Sequence, residues 1–275
     1  ADIAAAFAAD AWLRAAEIRK RLGEVEVAAG LLHQAALRLS ESSTVMRARL
    51  GTLELTGDLE GAATIARAEL ERSDCNLAAA ALWLRVAEAN AVADDRDGAL
   101  QALGQALAND PGAVAARAIQ IDLLLDGEEP ARLAEAFEGL SETVESPAAK
   151  ARAWTLASWV WAASCKNATR ARAALAKAHE LGVETSVWRR AERLLATLAE
   201  DADWALEASR GLLDSATDPE RSDLVEGERA ELLFEIGRAA FLAGDHNSAA
   251  ESFSLLGETE GQGPFAKSRW IGTML

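Results

Sequence analysis

Small side chains return along this chain at nearly regular intervals, and this recurrence limits the folds that the chain can adopt. The gaps between the recurring positions are 34, 37, 34, 38, 34 and 44 residues, and the positions are Ala28, Ala62, Ala99, Leu133, Ala171, Ala205 and Ala249. In the sixth of them, Trp204 is an alternative to Ala205. Because a larger side chain would push two helices apart, small residues mark places of close helix approach. The spacing therefore predicts about seven pairs of antiparallel helices.

Two segments carry the pattern in most detail. Residues at relative positions 0, 4, 16, 20, 23 and 28 are Trp83, Ala87, Ala99, Leu103, Ala106 and Pro111, and those at 0, 4, 11, 16, 20 and 23 are Leu233, Gly237, Gly244, Ala249, Phe253 and Leu256. This pattern resembles the tetratricopeptide repeat, which has Trp, Leu-Gly, Tyr, Ala, Phe, Ala and Pro over 34 residues. The resemblance covers nearly the whole chain, but the repeats are degenerate, since the chain has no Tyr.

The resemblance implies an all-α fold, a right-handed α-solenoid of stacked antiparallel helical hairpins. The first helix of each hairpin would line a concave inner face, and the second would pack outside it. The chain would be one array over 1–275. Its repeats are predicted at 9–42, 43–76, 80–113, 114–147, 152–185, 186–219 and 230–263, and a final helix at 264–275.

Glycine and proline support this register. Gly23, Gly57 and Gly244 each precede a recurring small residue by five positions, where the first helix has to reverse. Glycine suits such a turn because it adopts left-handed backbone angles at little cost. In the fourth repeat the segment 126–130 marks the same turn, and Pro130 is suited to the first position of a helix.

Charge and hydropathy narrow the classes of partner. The chain has 44 acidic and 28 basic residues, a net charge of −16, and 5% aromatic residues within a 50% hydrophobic composition. A surface this acidic disfavours nucleic acid, which is bound mainly through Lys and Arg, and attracts basic proteins. No stretch of about 18 uncharged apolar residues exists, so we expect no membrane span. The cytoplasm is the expected compartment.

The sequence shows no pattern typical of catalysis. His33, His179 and His246 fall in different predicted repeats, Cys75 and Cys165 are far apart, and there is no HExxH, CxxC, GxSxG or phosphate-loop segment. Metal sites and nucleophilic sites need such residues at set spacings. We therefore predict a non-enzymatic chain without catalytic, cofactor-binding or metal-binding residues.

The resemblance implies that the inner face of the first helices binds a protein or peptide partner. Its register gives the inward positions as Glu17, Arg47, Glu54, Glu88, Asp122, Phe234, Arg238 and Phe241. One subgroup of the family grips a terminal carboxylate with Lys and Asn, but here Leu13, Glu17, Leu84 and Glu88 hold those positions. The acids indicate instead an acidic groove that prefers Lys or Arg, in a basic or mixed partner segment.

Tryptophan adds one candidate to this face. Trp154 and Trp161 are seven residues apart and share a helix face, whereas Trp159 points elsewhere. Trp159 is therefore predicted to be an exposed anchor for the partner, whereas Trp12, Trp83, Trp154 and Trp188 are expected to wedge between hairpins.

Two other roles stay open. Both ends of the chain lie within apolar helical patterns, so we expect a piece of a longer protein whose ends favour stacking. The chain could then be a structural spacer or self-assembly element, or the regulatory repeat region of a larger multidomain protein.

Overall fold

The predicted all-α architecture is confirmed. The computed structural model describes residues 2–39, 42–182, 185–215, 226–242 and 244–258, and these ranges contain helices and turns but no strand. The helices are α1 (Asp2–Arg21), α2 (Val25–Arg38), α3 (Ser43–Thr56), α4 (Leu59–Leu70), α5 (Asn76–Val92), α6 (Arg96–Asn109), α7 (Val114–Leu125), α8 (Pro130–Thr143), α9 (Pro147–Ala163), α10 (Ala168–Glu180), α11 (Thr185–Leu198), α12 (Ala202–Ser215), α13 (Glu226–Leu242) and α14 (His246–Glu258).

The helices form two compact units. Unit 1 is Ala1–Asp126 and contains α1–α7, and unit 2 is Gly127–Leu275 and contains α8–α14. In each unit a helix packs against the next one along the chain, as in α1 with α2, α5 with α6, α9 with α10, and α13 with α14. Each unit is thus a stack of antiparallel helical hairpins. The boundary between the units falls within the range 114–147, and the predicted repeat boundaries stay a prediction. The predicted final helix at 264–275 lies outside the described residues.

The recurring residues occupy equivalent positions in their helices. The backbone N–H of each donates to the carbonyl of the residue four before it, as Ala28 does to Glu24, Ala99 to Asp95 and Ala205 to Asp201. All seven are therefore the fourth residue of a second helix, and in the sixth hairpin the position belongs to Ala205. Most of them are buried, but Ala205 is half-buried beside the buried Trp204. The predicted register is confirmed.

The turns inside the hairpins share one construction. Gly23, Gly57 and Gly244 have positive φ, as predicted, but Asp94, Lys166 and Glu200 take the same conformation without glycine. After most of these residues, the next backbone N–H donates to a carbonyl five residues back, which closes the first helix.

The residue after each left-handed position begins the second helix. In most of these turns its side-chain oxygen accepts the backbone N–H three residues on, as Asp58 does from Gly61 and Asp95 from Gly98. The same bond is formed by Asn167, Asp201 and Asp245. This side chain satisfies an N–H that has no partner within the helix. Helices α2 and α8 differ, because neither Glu24 nor Glu129 forms such a cap bond, and Pro130 occupies the first turn of α8.

Candidate functional site

A groove opens between the first helices α3 and α5 of unit 1. It has a volume of about 280 Å³ and is lined by Ser43, Arg47, Leu50, Gly51, Glu54, Glu69, Arg72, Ser73, Ala78, Ala81, Leu82 and Arg85. Because an α-helix rises 1.5 Å per residue, the lining part of α3 is roughly 16 Å long. An extended peptide of about five residues matches that length.

Small residues leave space in this groove. Gly51, Ala78 and Ala81 provide part of its lining. A Cβ atom added at Gly51 would meet no other atom within 4 Å. Glycine weakens a helix by about 1 kcal/mol relative to alanine, so propensity does not explain this residue. The position leaves open space beside α3.

The charges that line the groove are mostly paired. The Nε of Arg85 lies 2.5 Å from Oε1 of Glu54, and its Nη1 donates to Oε2 of Glu88 at 3.0 Å. Arg72 donates to the buried Glu69 at 3.2 Å. Glu54 and Glu88, which were predicted as inward acids, therefore meet on one guanidinium that the sequence analysis did not identify. The lining has three arginines and two glutamates, so it is not acidic at this place.

Arg47 is the predicted residue that the groove leaves available. It lines the groove and is exposed. Within the part of the chain that the structure describes, its guanidinium forms no ion pair. The groove therefore presents one unneutralised cation beside two paired clusters.

The remaining predicted residues of unit 1 do not line this groove. Glu17 is exposed on α1 and accepts from Nε of Arg21 at 3.0 Å, and Asp122 is exposed on α7. These two carboxylates are accessible, but of the four predicted acids Glu54 is the one that lines the groove.

The predicted residues on α13 in unit 2 are divided between packing and exposure. The Phe234 ring lies 6.3 Å from that of Phe253 and packs on a cluster of buried residues. The Phe241 ring lies 5.6 Å from that of His246. Arg238 is exposed. Phe234 thus contributes to the packing of α13 on α14, whereas Arg238 and Phe241 are both exposed.

The three tryptophans of α9 have different surroundings. Trp154 is 8% exposed, and Nζ of Lys177 lies 3.8 Å from its ring centre. Trp161 is 3% exposed and donates from Nε1 to Oε1 of Glu138 at 2.7 Å. Trp159 is 47% exposed. Its role as an anchor stays a proposal, but its side chain is accessible. Sequence reasoning missed Leu156, which is exposed three residues earlier and could have been found by that spacing.

The described ranges contain neither a candidate metal site nor a candidate membrane span. No group of three or more His, Cys, Asp or Glu side chains comes together there in a way that could hold a metal ion. No described helix combines the length and the apolar character needed to cross a membrane.

Comparisons with known proteins identify the fold. No protein-family model and no curated protein matches the chain. Among solved structures, it resembles that of Naa15/Naa10 bound to HypK-THB, with a TM-score of 0.54 and 14% identity over 97% of this chain and 39% of that one. It also resembles a tetratricopeptide repeat protein from Parabacteroides merdae, with a TM-score of 0.47 and 12% identity over 98% and 99% of the two chains.

A third similar structure is the complex of the TPR2AB domain of yeast Sti1 with pHSP90. Its TM-score is 0.43, and it is 14% identical over 96% of this chain and 95% of that chain. At 14% identity and a TM-score of 0.54, the likeness to the Naa15/Naa10 structure concerns the fold alone.

Proposed function

We propose, on the premise that this chain has the tetratricopeptide-repeat fold, that it is a non-enzymatic scaffold for a partner protein. The partner would lay an extended segment of about five residues along the groove between α3 and α5. The observation that carries this proposal is the groove itself, whose small lining residues leave space for a backbone and side chains. The cytoplasm stays the expected compartment.

The partner segment would be of mixed charge. The net charge of −16 favours the approach of a basic protein over long distances. Close to the groove, Arg85 is already neutralised by Glu54 and Glu88, whereas Arg47 is available to an acidic side chain. The acidic surface predicted from the sequence is proposed here for the exposed carboxylates of Glu17 and Asp122, beside the groove rather than within it.

The similar structures support a role in binding proteins. The Naa15/Naa10 structure, which shares the fold, is bound to HypK-THB. An array of stacked hairpins presents an extended surface, which suits a long and narrow ligand.

The test fills the groove without disturbing the fold. Gly51→Leu places a side chain in the open space beside α3. Gly104→Leu on α6 is the matched control, because this glycine is also helical, open to solvent and free of neighbours within 4 Å, but lies outside the groove. Peptides of ten residues are selected from a random display library on the unaltered chain, and their affinities are measured by fluorescence anisotropy.

We expect Gly51→Leu to lower the affinity of the chain for the selected peptides by at least tenfold, a loss of about 1.4 kcal/mol of binding free energy. Gly104→Leu should leave the affinity unchanged. Equal affinities for both variants would contradict the proposed groove. A selection that enriches no peptide would contradict the scaffold function.

The basic character of the partner has its own test. Charge reversal of Glu17, Glu88 and Asp122 should slow the association of Lys-rich peptides and reduce the dependence of the rate on salt. Unchanged rates would show that these carboxylates do not attract the partner.

A structural role is the second candidate, and α1 favours it. Phe7 and Ile18 are exposed there and, being eleven residues apart, lie on one face of the helix. Such a face could stack on a second copy of the chain. Sedimentation at high concentration should then show dimers that Ile18→Lys abolishes, and a strict monomer would contradict this role.

A further inference from the structure

The exposed stripe of α9 in unit 2 is apolar and is flanked by positive charge. Leu156 is 48% and Trp159 47% exposed, and both lie on one side of the helix. Ala153, Trp154, Ala157, Ser158, Val160, Trp161 and Ala162 are buried. The helix is therefore packed on most of its circumference and open along one strip, which carries its third tryptophan.

Trp159 differs from its neighbours in having no polar or aromatic partner. The indole of Trp161 is held by Glu138 and covered by the guanidinium of Arg170, and the ring of Trp154 lies under Lys177. Within the described ranges, no hydrogen bond, ring contact or cation is found at Trp159. An accessible tryptophan of this kind provides a large contact area at low entropic cost, and tryptophan is enriched among residues that dominate binding energies.

The neighbouring helix α11 also has exposed apolar side chains. Helix α11 packs against α9, and its Val187 and Leu194 are both exposed. These two are seven residues apart and therefore share a face of α11. The polar residues of α11 between them are engaged, since Arg190 pairs with Glu228 at 3.1 Å.

The charged residues of α9 itself have one sign. Arg152 lies one turn before Leu156 and is exposed, and Lys150 is half-exposed two residues earlier. Neither forms an ion pair with any residue that the structure describes, and α9 contains no acidic residue. On a chain with a net charge of −16 this local cationic end is unusual, and a basic partner would be repelled from it.

We propose that the strip of α9 defined by Arg152, Leu156 and Trp159, together with Val187 and Leu194 of α11, is a second docking surface. Its occupant is a protein segment with an acidic residue followed by apolar residues at helical spacing. The acid pairs with Arg152, and the apolar residues cover Trp159 and Leu156. This inference rests on the proposed function only in that the chain binds partner segments, since the surface is separate from the groove of unit 1.

Two matched peptide pools test the chemistry of this occupant. Both contain twelve-residue peptides with Leu, Ile, Phe or Trp at positions i, i+3, i+4 and i+7. Asp or Glu precedes the apolar positions in one pool, and Lys or Arg in the other. Binding of the fluorescein-labelled pools to the full chain is measured by anisotropy, for the unaltered chain and for Trp159→Ala, Arg152→Glu and Gly51→Leu.

We expect the acidic pool to bind at least tenfold more tightly than the basic pool. Trp159→Ala should weaken the binding of the acidic pool by at least tenfold, and Arg152→Glu should make the basic pool the tighter binder. Gly51→Leu should change neither, so a failure of the groove in unit 1 would be distinguishable from a failure of this surface. Both altered residues of unit 2 are exposed, and unchanged helical circular dichroism confirms that the variants fold.

Three results would overturn the proposal. These are an equal or tighter binding of the basic pool, an effect of Trp159→Ala below twofold, and no binding of either pool at 1 mM. A self-association of the chain that Trp159→Ala abolishes would also overturn it, because a second copy would then be the occupant.

Discussion

Hairpins in unit 1 pack mainly through alanine, whereas those in unit 2 also contain glutamates that accept hydrogen bonds from buried tryptophans. One buried cluster of unit 1 contains Ala63, Ala66, Ala87, Ala89, Ala102, Ala106 and Ala116 around Leu103, Leu107 and Val86. Such a core has no polar atom to satisfy. It depends on close approach, which small residues allow.

Unit 2 places larger side chains between its helices, and these bring polar groups with them. Glu138 of α8 accepts from Nε1 of Trp161 on α9 at 2.7 Å and from Arg170 on α10 at 3.1 Å. Glu192 of α11 accepts from Nε1 of Trp204 at 3.2 Å and from Nη1 of Arg189 at 2.8 Å. A buried indole N–H costs free energy if it has no acceptor, and these two carboxylates supply the acceptors for Trp161 and Trp204. The buried Nε1 of Trp188 in the same unit has no such acceptor among the described residues. The comparison teaches that one fold can hold its hairpins together in two ways. Small side chains allow close helix approach, or larger side chains fill the space and form hydrogen bonds with each other.

The largest expected effect tests the paired groups of unit 2. Glu192 is 3% exposed, and Glu192→Ala would leave both Trp204 and Arg189 without their acceptor. Breaking a buried pair in this way costs about 3–5 kcal/mol. Urea unfolding followed by circular dichroism measures the loss. The control is Glu207→Ala, which removes an exposed ion pair with Arg172 and should cost less than about 1 kcal/mol. Similar losses from both variants would show that the buried carboxylate is not essential to unit 2.

The next effect compares overpacking in the two units. Ala99→Leu in unit 1 and Ala249→Leu in unit 2 each enlarge a buried residue at the fourth position of a second helix. Both should destabilise the chain by about 1–3 kcal/mol, measured by urea unfolding. Ala205→Leu, at the same position of the sixth hairpin but half-buried, should cost less. If all three variants lost the same free energy of unfolding, burial at this position would not determine the cost of enlarging the side chain.

A smaller effect concerns the left-handed turn residues. Asp94 in unit 1 has a φ of 62°, a left-handed conformation that is strained for a residue with a Cβ atom. Asp94→Gly should relieve this strain and stabilise the chain by about 0.5–1 kcal/mol. Lys166 in unit 2 has a φ of 51°, but its Nζ donates to the carbonyl of Leu198 at 2.7 Å and pairs with Glu200. Lys166→Gly should therefore gain nothing, because the loss of these bonds offsets the relief. Thermal unfolding compares the two, and an equal gain at both sites would contradict the role of the ammonium group.

The smallest expected effect is on the reactivity of one partly buried thiol in unit 2. Burial raises the pKa of the Cys165 thiol, and Arg170 opposes this shift only in part. Since the thiolate is the reactive form, a raised pKa moves alkylation to higher pH than for an unperturbed thiol. Iodoacetamide labelling of Cys165, followed by mass spectrometry from pH 7 to 10, should therefore lag behind that of glutathione. Coincident profiles would show that this part of unit 2 opens readily to solvent.

The sequence was sufficient for the register of the fold because close helix approach leaves few choices of residue. Ala28, Ala62 and Ala249 could be identified from spacing alone, and the structure places each at the same point of a second helix. The turns were only partly predictable. Gly57 signals a left-handed turn, but Lys166 and Glu200 give no such signal, since these residues adopt positive φ only where the surrounding helices impose it.

The candidate site was less predictable because its electrostatics depend on distant residues. Glu54 and Glu88 were identified as inward acids, and the pairing of Glu88 with Arg85 could be inferred from a spacing of three. The contact between Arg85 and Glu54 joins residues 31 apart and needs the packed structure. The exposure of Trp159 followed from helix geometry, whereas the packing of Phe234 on Phe253 required the position of α14.

Most of the hairpin turns are completed by hydrogen bonds between residues at most six apart, through a left-handed residue and, in several of them, the helix cap that follows it. Such a turn does not need the remainder of the chain in order to form. Folding can therefore start at any hairpin and spread to its neighbours, and during synthesis the early hairpins can fold while later ones are still being made.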